Sequence, residues 1–423
     1  MKKKILLISL FHPELVRGGA QQACYELFTG LKEDGEYDPY LLASVEPHQY
    51  PSLFKSGAHI TGFDGRENEF LFLSRAYDHL WHKCLEPASL ERFQDFLLWV
   101  KPDVIHFHHF LTYGLDFISL ARQVLPDAKI VFTLHEFLSI CDSYGQMVRQ
   151  YDRSMCDTPS SIRCHQCYPD RSPEHYTVKR MWVLRHFEAV DTFTTPTNFM
   201  IDFFVRFGLP AEKIVQISNG QKNLNQGMVS TKKATHNKFG FFGQLIDNKG
   251  LLVIFDAVEE LRKRKITDFV VEINGANLHY ATEGFREKYN AFMEKEAKLE
   301  DGANVIFNGE YEHKDFPLRI NRVDWLIVPS IWWEIFGLII SEAWMFGKPV
   351  ICSDKGGPGE RIRHDVDGLQ FRLGDGQSLA DAMERAITEE GLWEKLHGNV
   401  EFSCELNKVV GLYKQLAYSK EAS

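Results

Sequence analysis

Short apolar runs alternate with helical patterns along almost the whole of this chain, and they do so in two series. In the first series, strand patterns fall at 4–10, 104–108, 129–134, 191–195 and 214–217, with helical patterns such as 21–31 and 172–189 between them. The second has strand patterns at 238–243, 269–273, 305–307, 325–328 and 350–352, and helical ones from about 249 and at 285–299, 337–346 and 377–387. Such alternation predicts an α/β fold with parallel sheets covered on both faces. Residues 218–236 separate the two series. They are rich in Asn, Lys, Thr and Gly, lack apolar periodicity and read as a linker. Two doubly wound halves place ligands at the carboxyl ends of their strands, facing an interdomain cleft.

At 423 residues the chain can bury two substantial cores. Its formal net charge of −10 argues against a nucleic-acid binder that works through a broadly basic surface. No run of about 18 apolar residues predicts a transmembrane helix. Lys2-Lys3-Lys4 followed by apolar 5–11 imitates the start of a signal peptide. The run is short, however, and His12-Pro13 ends it without a small-residue cleavage site, so a buried first strand and a cytoplasmic location are expected.

The segment 333–351 carries the most chemistry. Glu334 and Glu342 stand eight positions apart, with Ile335-Phe336-Gly337-Leu338 between them and Gly347-Lys348-Pro349 downstream. A helix starting near Gly337 leaves Glu334 in the loop before it and Glu342 about a turn and a half inside. Backbone N–H groups at a helix start suit a diphosphate, and carboxylates accept hydrogen bonds from sugar hydroxyls. The alternative is a capped amphipathic helix with incidental acids.

This spacing resembles the Glu-x7-Glu element of retaining glycosyltransferases, above all glycosyltransferase family 4; Gly347-Lys348-Pro349-Val350-Ile351 and Gly356-Gly357 fit the same pattern. The resemblance implies the GT-B fold, with two Rossmann-like domains. Residues 1–218 are then the acceptor-side domain and 219–401 the nucleotide-sugar domain. A helix over 402–418 either crosses back onto the first domain or packs on the second, with Leu406, Val410, Leu412, Tyr413 and Leu416 as its apolar contacts. By the same resemblance Glu334 faces the donor sugar, Glu342 holds the ribose, and 335–338 offer N–H groups to the diphosphate.

Other positions follow the family pattern. Gly18-Gly19 opens the first helix and would offer backbone N–H groups to the diphosphate; a tight turn is the plain alternative. Lys249 matches the phosphate-binding lysine, whereas Gln244 stands where the family has Arg and carries no charge. His135 ends the 129–134 strand where the family's His contacts the transferred sugar. His106, His108 and His109 cluster without carboxylate spacing for a metal, which favours packing or acceptor contacts. Glu360 resembles the Glu of a Gly-Gly-x-x-Glu segment near the donor site, or braces its loop. The loops at Gly275 and at 308–311, which include Tyr311, would line the base pocket. Uracil is the family's commonest base, so a UDP-sugar is expected, with GDP open.

Four of the eight cysteines cluster: Cys141, Cys156, Cys164 and Cys167, within a polar insertion at about 138–172. A structural zinc, a disulfide and free thiols are all open. The 172–189 helix carries His175, Lys179, Arg180, Trp182 and Arg185, a face for an anionic membrane or simply a solvated face with Trp182 inward. The expectation is a retaining hexosyltransferase, independent of a catalytic metal because no Asp-x-Asp motif sits at a matching position. It would act on a saccharide or lipid-linked acceptor in cell-envelope or exopolysaccharide assembly. Missing cation character at Gln244 leaves a noncatalytic nucleotide-sugar sensor as a rival. A nicotinamide-dependent dehydrogenase is the other, though G-x-G-x-x-G is absent.

Overall fold

The computed structural model describes residues 2–55, 57–225, 227, 236–299 and 302–419. Of the polar tract at 218–236, residues 226 and 228–235 lie outside the described residues. The chain divides into two units, 1–222 together with 404–423, and 223–403.

The first unit is built on β1 (Lys3–Phe11), β2 (Tyr37–Val45), β3 (Ile60–Gly62) and β4 (Glu69–Leu73). A small hairpin, β5 (Tyr77–Asp78) and β6 (Lys83–Cys84), stands apart from this sheet. β7 (Val104–Phe107), β8 (Lys129–Thr133), β9 (Thr192–Thr195) and β10 (Ile214–Gln216) complete it, in the order β10-β9-β8-β7-β1-β2-β4-β3. Every pair is parallel except β3 with β4. Parallel strands covered on both faces must be apolar throughout. β1 meets that demand, with Ile5, Leu6, Leu7 and Ile8 fully buried.

The second unit has one parallel sheet: β11 (Lys238–Phe242), β12 (Val270–Asn274), β13 (Val305–Gly309), β14 (Trp325–Val328), β15 (Val350–Ser353) and β16 (Gly368–Phe371), in the order β13-β12-β11-β14-β15-β16. The chain steps outward from β11 to β13 and then returns to the other side of β11. The strand order therefore reverses between β11 and β14, and ligands of open α/β sheets bind outside the strand ends at such a reversal. In the first unit the same reversal falls between β1 and β7.

Residues 404–419 complete the first unit's core. A helix over Leu406–Leu412 passes into a wider π turn at Tyr413–Ala417, shorter as an α-helix than the 402–418 expected. Leu406, Val409, Val410, Tyr413, Ala417 and Tyr418 pack against Leu27, Phe28 and Leu31 of the Gly19–Asp34 helix. Leu412, expected among the apolar contacts, is 40% exposed. The helical face that repeats at 406, 409–410 and 413 leaves 412 on the far side. The Tyr418 hydroxyl lies 2.8 Å from His106 Nδ1, whose Nε2 is 2.7 Å from the Thr133 hydroxyl. His106 is thus spent inside the core rather than offered to a ligand.

Candidate active site

Two loops of the second unit meet at the β11–β14 reversal. One runs from β11 through a 3-10 turn at Asp247–Lys249 into the helix Leu251–Lys263. The other leaves β14 and leads to the helix Leu338–Met345. They are tied together where the Ile331 N–H donates to the Asn248 carbonyl at 3.0 Å. Gly250 lets them approach. Its φ is +72°, and a Cβ there would lie 1.9 Å from the Pro329 carbonyl oxygen. Gly250→Ala therefore combines left-handed strain with a backbone clash. We expect a loss of about 2–4 kcal/mol in the second unit, read by thermal melting.

The close approach sets Lys249 against Glu334. The ammonium donates to Glu334 Oε2 at 2.6 Å, and the same oxygen accepts from Ser330 Oγ and Trp332 Nε1, each at 3.1 Å. Burial would raise the Glu334 carboxyl, but the Lys249 charge and these hydrogen bonds outweigh it and hold the group below the usual range. Lys249 also sits 5.6 Å from the Trp332 ring centroid. Ser330 and Trp332 escaped the sequence reading, because no motif marks them. Only their position two to four residues before Glu334 could have suggested them.

Beyond Glu334 the chain turns through Gly337 (φ +70°) into the helix. Arg361 fixes this turn. Its Nη1 donates to the Phe336 and Gly337 carbonyls at 3.0 Å each, and its guanidinium lies 3.8 Å from the Phe336 ring centroid. Glu360, one residue earlier, is exposed. Glu342 lies 3.4 Å from His313 Nε2. Its charge adds to burial in raising the Tyr311 hydroxyl pKa, with burial the larger cause. Glu342, Tyr311 and His313 thus form a second cluster next to the first, and His313 is a residue the sequence did not single out. Arg319 braces the neighbouring strand ends, donating to Asn274 Oδ1 and to the Asn308, Gly309 and Glu310 carbonyls. Gly275 approaches Gly243 so closely that a Cβ would be 1.9 Å from the Gly243 carbonyl oxygen. Gln244, just past β11, is exposed.

The first unit carries the other expected residues. Gly18 caps the Gly19–Asp34 helix in extended conformation, with the Gln21 side chain over it. His135 follows β8, and its Nε2 meets His108 Nδ1 at 2.9 Å. His109 Nε2 lies 3.6 Å from Glu136 Oε1. Burial keeps His109 and His135 neutral, pushing them down to about 4 and about 3, and drives His106 and His108 well below their usual value. Burial pushes Glu136 up to about 8, opposed by the Leu138 N–H that donates to it. This polar cluster can offer neutral donors and acceptors to hydroxyl groups.

On the Pro173–Phe187 helix Arg180 and Arg185 are exposed, whereas Lys179 is not part of a basic face. Lys179 is buried in an ion pair with Asp142, Arg180 Nε donates to the Phe207 carbonyl, and Arg185 pairs with Glu188. Trp182 turns inward and donates to the Trp81 carbonyl at 2.8 Å. Among the described residues no helix is long and apolar enough to cross a membrane. Cys141, Cys156, Cys164 and Cys167 are free thiols. Among the described residues no group of three or more His, Cys, Asp or Glu is set at metal-ligand spacing.

An acid–lysine pair at the strand reversal of an open parallel sheet defines a ligand-binding α/β protein, and comparison with known proteins gives its family. Residues 17–221 match the model of Glycosyltransferase Family 4, and residues 226–401 that of Glycosyl transferases group 1. The chain belongs to the family 4 type of glycosyltransferases, and its fold is GT-B. It is 31% identical over 295 residues to an uncharacterised 41.2 kDa protein in the cps region of Klebsiella pneumoniae, covering 68% of this chain and 70% of that one. An uncharacterised glycosyltransferase of Methanocaldococcus jannaschii is 21% identical over 416 residues, 94% of this chain and 92% of its own. The crystal structure of Anabaena HepE with UDP and glucose superposes with a TM-score of 0.64 at 18% identity, covering 98% of both chains.

Proposed function

We propose that this glycosyltransferase is a retaining hexosyltransferase. It takes a sugar from UDP-glucose or a related UDP-hexose and passes it to a saccharide or lipid-linked saccharide in cell-envelope or exopolysaccharide synthesis. The observation that carries the reading is the Lys249–Glu334 pair, 2.6 Å apart at the strand reversal. A diphosphate is a stronger partner for an ammonium than one carboxylate is. An arriving donor therefore draws Lys249 to its phosphates and frees Glu334, already ionised, for the sugar hydroxyls. HepE, with its UDP and glucose, and the cps-region relative support the choice of donor and pathway class.

In the proposed reaction the bond from the anomeric carbon to the leaving phosphate oxygen breaks, and the acceptor oxygen attacks from the same face. A phosphate oxygen of departing UDP takes the acceptor proton. Lys249 and the N–H groups near 336–338 stabilise the diphosphate without a catalytic divalent cation. The enzyme contributes positioning and fixed charge. Incubation with UDP-glucose, a lysate lipid fraction and excess chelator should give a product whose anomeric configuration matches the donor by NMR. UDP-glucose binding without turnover would favour the sensor reading instead.

The Glu342 cluster takes the ribose. A ribose contact is held equally in ground and transition states. Glu342→Ala should therefore weaken UDP by about 5- to 20-fold, roughly 1–2 kcal/mol, with little change in kcat. Unchanged UDP affinity in calorimetry rejects the role.

A further inference from the structure

The first unit holds a cavity of about 110 Å³ that the donor chemistry leaves unused. One ordered water needs about 10–15 Å³, so the cavity has room for a small polyatomic group and part of its carrier. Ile140 and Asp142 line it from the segment that leaves the carboxyl end of β8 just after His135. Lys179 and Arg180 line it from the Pro173–Phe187 helix, and Arg206 and Phe207 from the end of the Phe199–Phe207 helix that follows β9. β8 and β9 are parallel neighbours, and open parallel sheets hold ligands beyond the carboxyl ends of their strands.

Charge sets this cavity apart. Three cations, Lys179, Arg180 and Arg206, share its wall with one carboxylate, Asp142, in a chain whose formal net charge is −10. Asp142 is already divided between Lys179 and Arg171, whose Nη1 reaches it at 2.7 Å. Arg180 Nε donates to the Phe207 carbonyl at 2.7 Å, and Arg206 Nε to the Asp202 carbonyl at 3.0 Å. The two guanidinium groups also lie over aromatic rings, Arg180 at 5.9 Å from the Phe207 centroid and Arg206 at 4.9 Å from that of Phe203. Among the described residues no carboxylate pairs with either arginine. Both are thus held by one nitrogen and a ring, with the rest of the guanidinium fork left for an oxyanion, which it can grip through two parallel hydrogen bonds.

Lys179 is buried, whereas Arg180 and Arg206 are exposed. Positive charge therefore runs from the surface inward. Ile140 and Phe207, both buried, give the wall an apolar part. Cations beside apolar surface suit an anionic group carried on an organic body better than a free inorganic ion.

We propose that this cavity is an acceptor subsite for an oxyanion, a phosphate or a carboxylate, with Arg180 and Arg206 as its binding residues. The assignment to the acceptor rests on the transfer reaction proposed above, whose acceptor is a saccharide or lipid-linked saccharide. A lipid-linked acceptor would bring a phosphate, and an acidic saccharide a carboxylate.

The test titrates glucose 1-phosphate, glucuronate and neutral glucose separately into the full chain, with UDP present in excess to occupy the nucleotide site, and reads binding by calorimetry. At least one of the two anions should bind at least fivefold more tightly than glucose, and which one does names the oxyanion. An Arg180→Gln/Arg206→Gln double variant should lose that preference, while its UDP affinity stays within about twofold. In transfer from UDP-glucose to a lysate lipid fraction, the variant should need at least fivefold more acceptor for half-maximal rate, with KM for UDP-glucose unchanged. Wild type that binds neither anion better than glucose overturns the subsite, and this arm does not depend on the variant folding. An anion preference kept in full by the folded double variant overturns it as well. The UDP titration reports separately on the donor site, so a chain that binds UDP but neither anion loses the subsite alone.

Discussion

Glu334→Gln should reduce sugar transfer by about a thousandfold or more, on the scale of removing one fixed charge-stabilising group from an enzyme site, while UDP affinity stays within a few-fold. The expected direction of the affinity change is upward. In the wild type Lys249 is engaged by Glu334 at 2.6 Å, and a nucleotide must compete with that carboxylate. A glutamine keeps the shape, and its amide oxygen can still accept from Ser330 and Trp332, but without the charge it holds the ammonium less tightly against a competing phosphate. Calorimetry with UDP and a transfer assay with UDP-glucose separate the two effects. Equal collapse of binding and transfer would show that Glu334 holds the nucleotide or the loop rather than the sugar.

Mild acid should destabilise the first unit. His82, His109, His135 and His186 are pushed down to between about 3 and 4, mainly by burial, and His106 and His108 lie well below their usual value for the same reason. All six belong to the first unit. A folded-state pKa below the unfolded one makes the unfolded chain the better proton acceptor. The stability is therefore intact above about 6.5 and is lost progressively as pH falls toward 3–4. Glu136, raised to about 8, acts in the opposite sense, since the folded state keeps its proton better. One such group does not balance six histidines. We expect on the order of 3–6 kcal/mol to be lost between pH 7 and 5.5, measured by urea denaturation, with hydrogen exchange locating the loss in the first unit. A flat stability over that interval would mean that these imidazoles are solvated.

What could be read from the sequence was set by the range of the interaction. β14 and β15 are continuous apolar runs, and local composition alone marks them. β2 was not marked: it opens Tyr-Asp-Pro-Tyr, which reads as a turn, and its strand character comes from pairing along β1, where Pro39 lies opposite Ile5. β4 begins with Glu69, a charge in a buried strand that is explained by His12 Nε2 at 2.8 Å and Arg66 Nη1 at 3.7 Å. At the site, the Glu334–Glu342 spacing is local and legible. The partners are not: Lys249 meets Glu334 across 85 positions, and His108 meets His135 across 27. Lys179 shows the converse. Its place on a helix with Arg180 and Arg185 suggests a surface cation, and Asp142, 37 positions away, makes it a buried one. Charge type is local, whereas what neutralises the charge is topological.

The return of residues 404–419 to the first unit also orders events during synthesis. His106 bonds Tyr418 across 312 positions, and Leu406, Val409 and Val410 cover the Gly19–Asp34 helix. Residues 223–403 must be translated before that cover exists. At about 5–20 residues per second this interval lasts roughly 10–40 s. Throughout it the nascent first unit carries an uncovered apolar face, while the second unit gains its last strand, β16, only near the end of the interval. The half that leaves the ribosome first is therefore the half that finishes folding last, and it is the one that needs shielding by chaperones in the meantime.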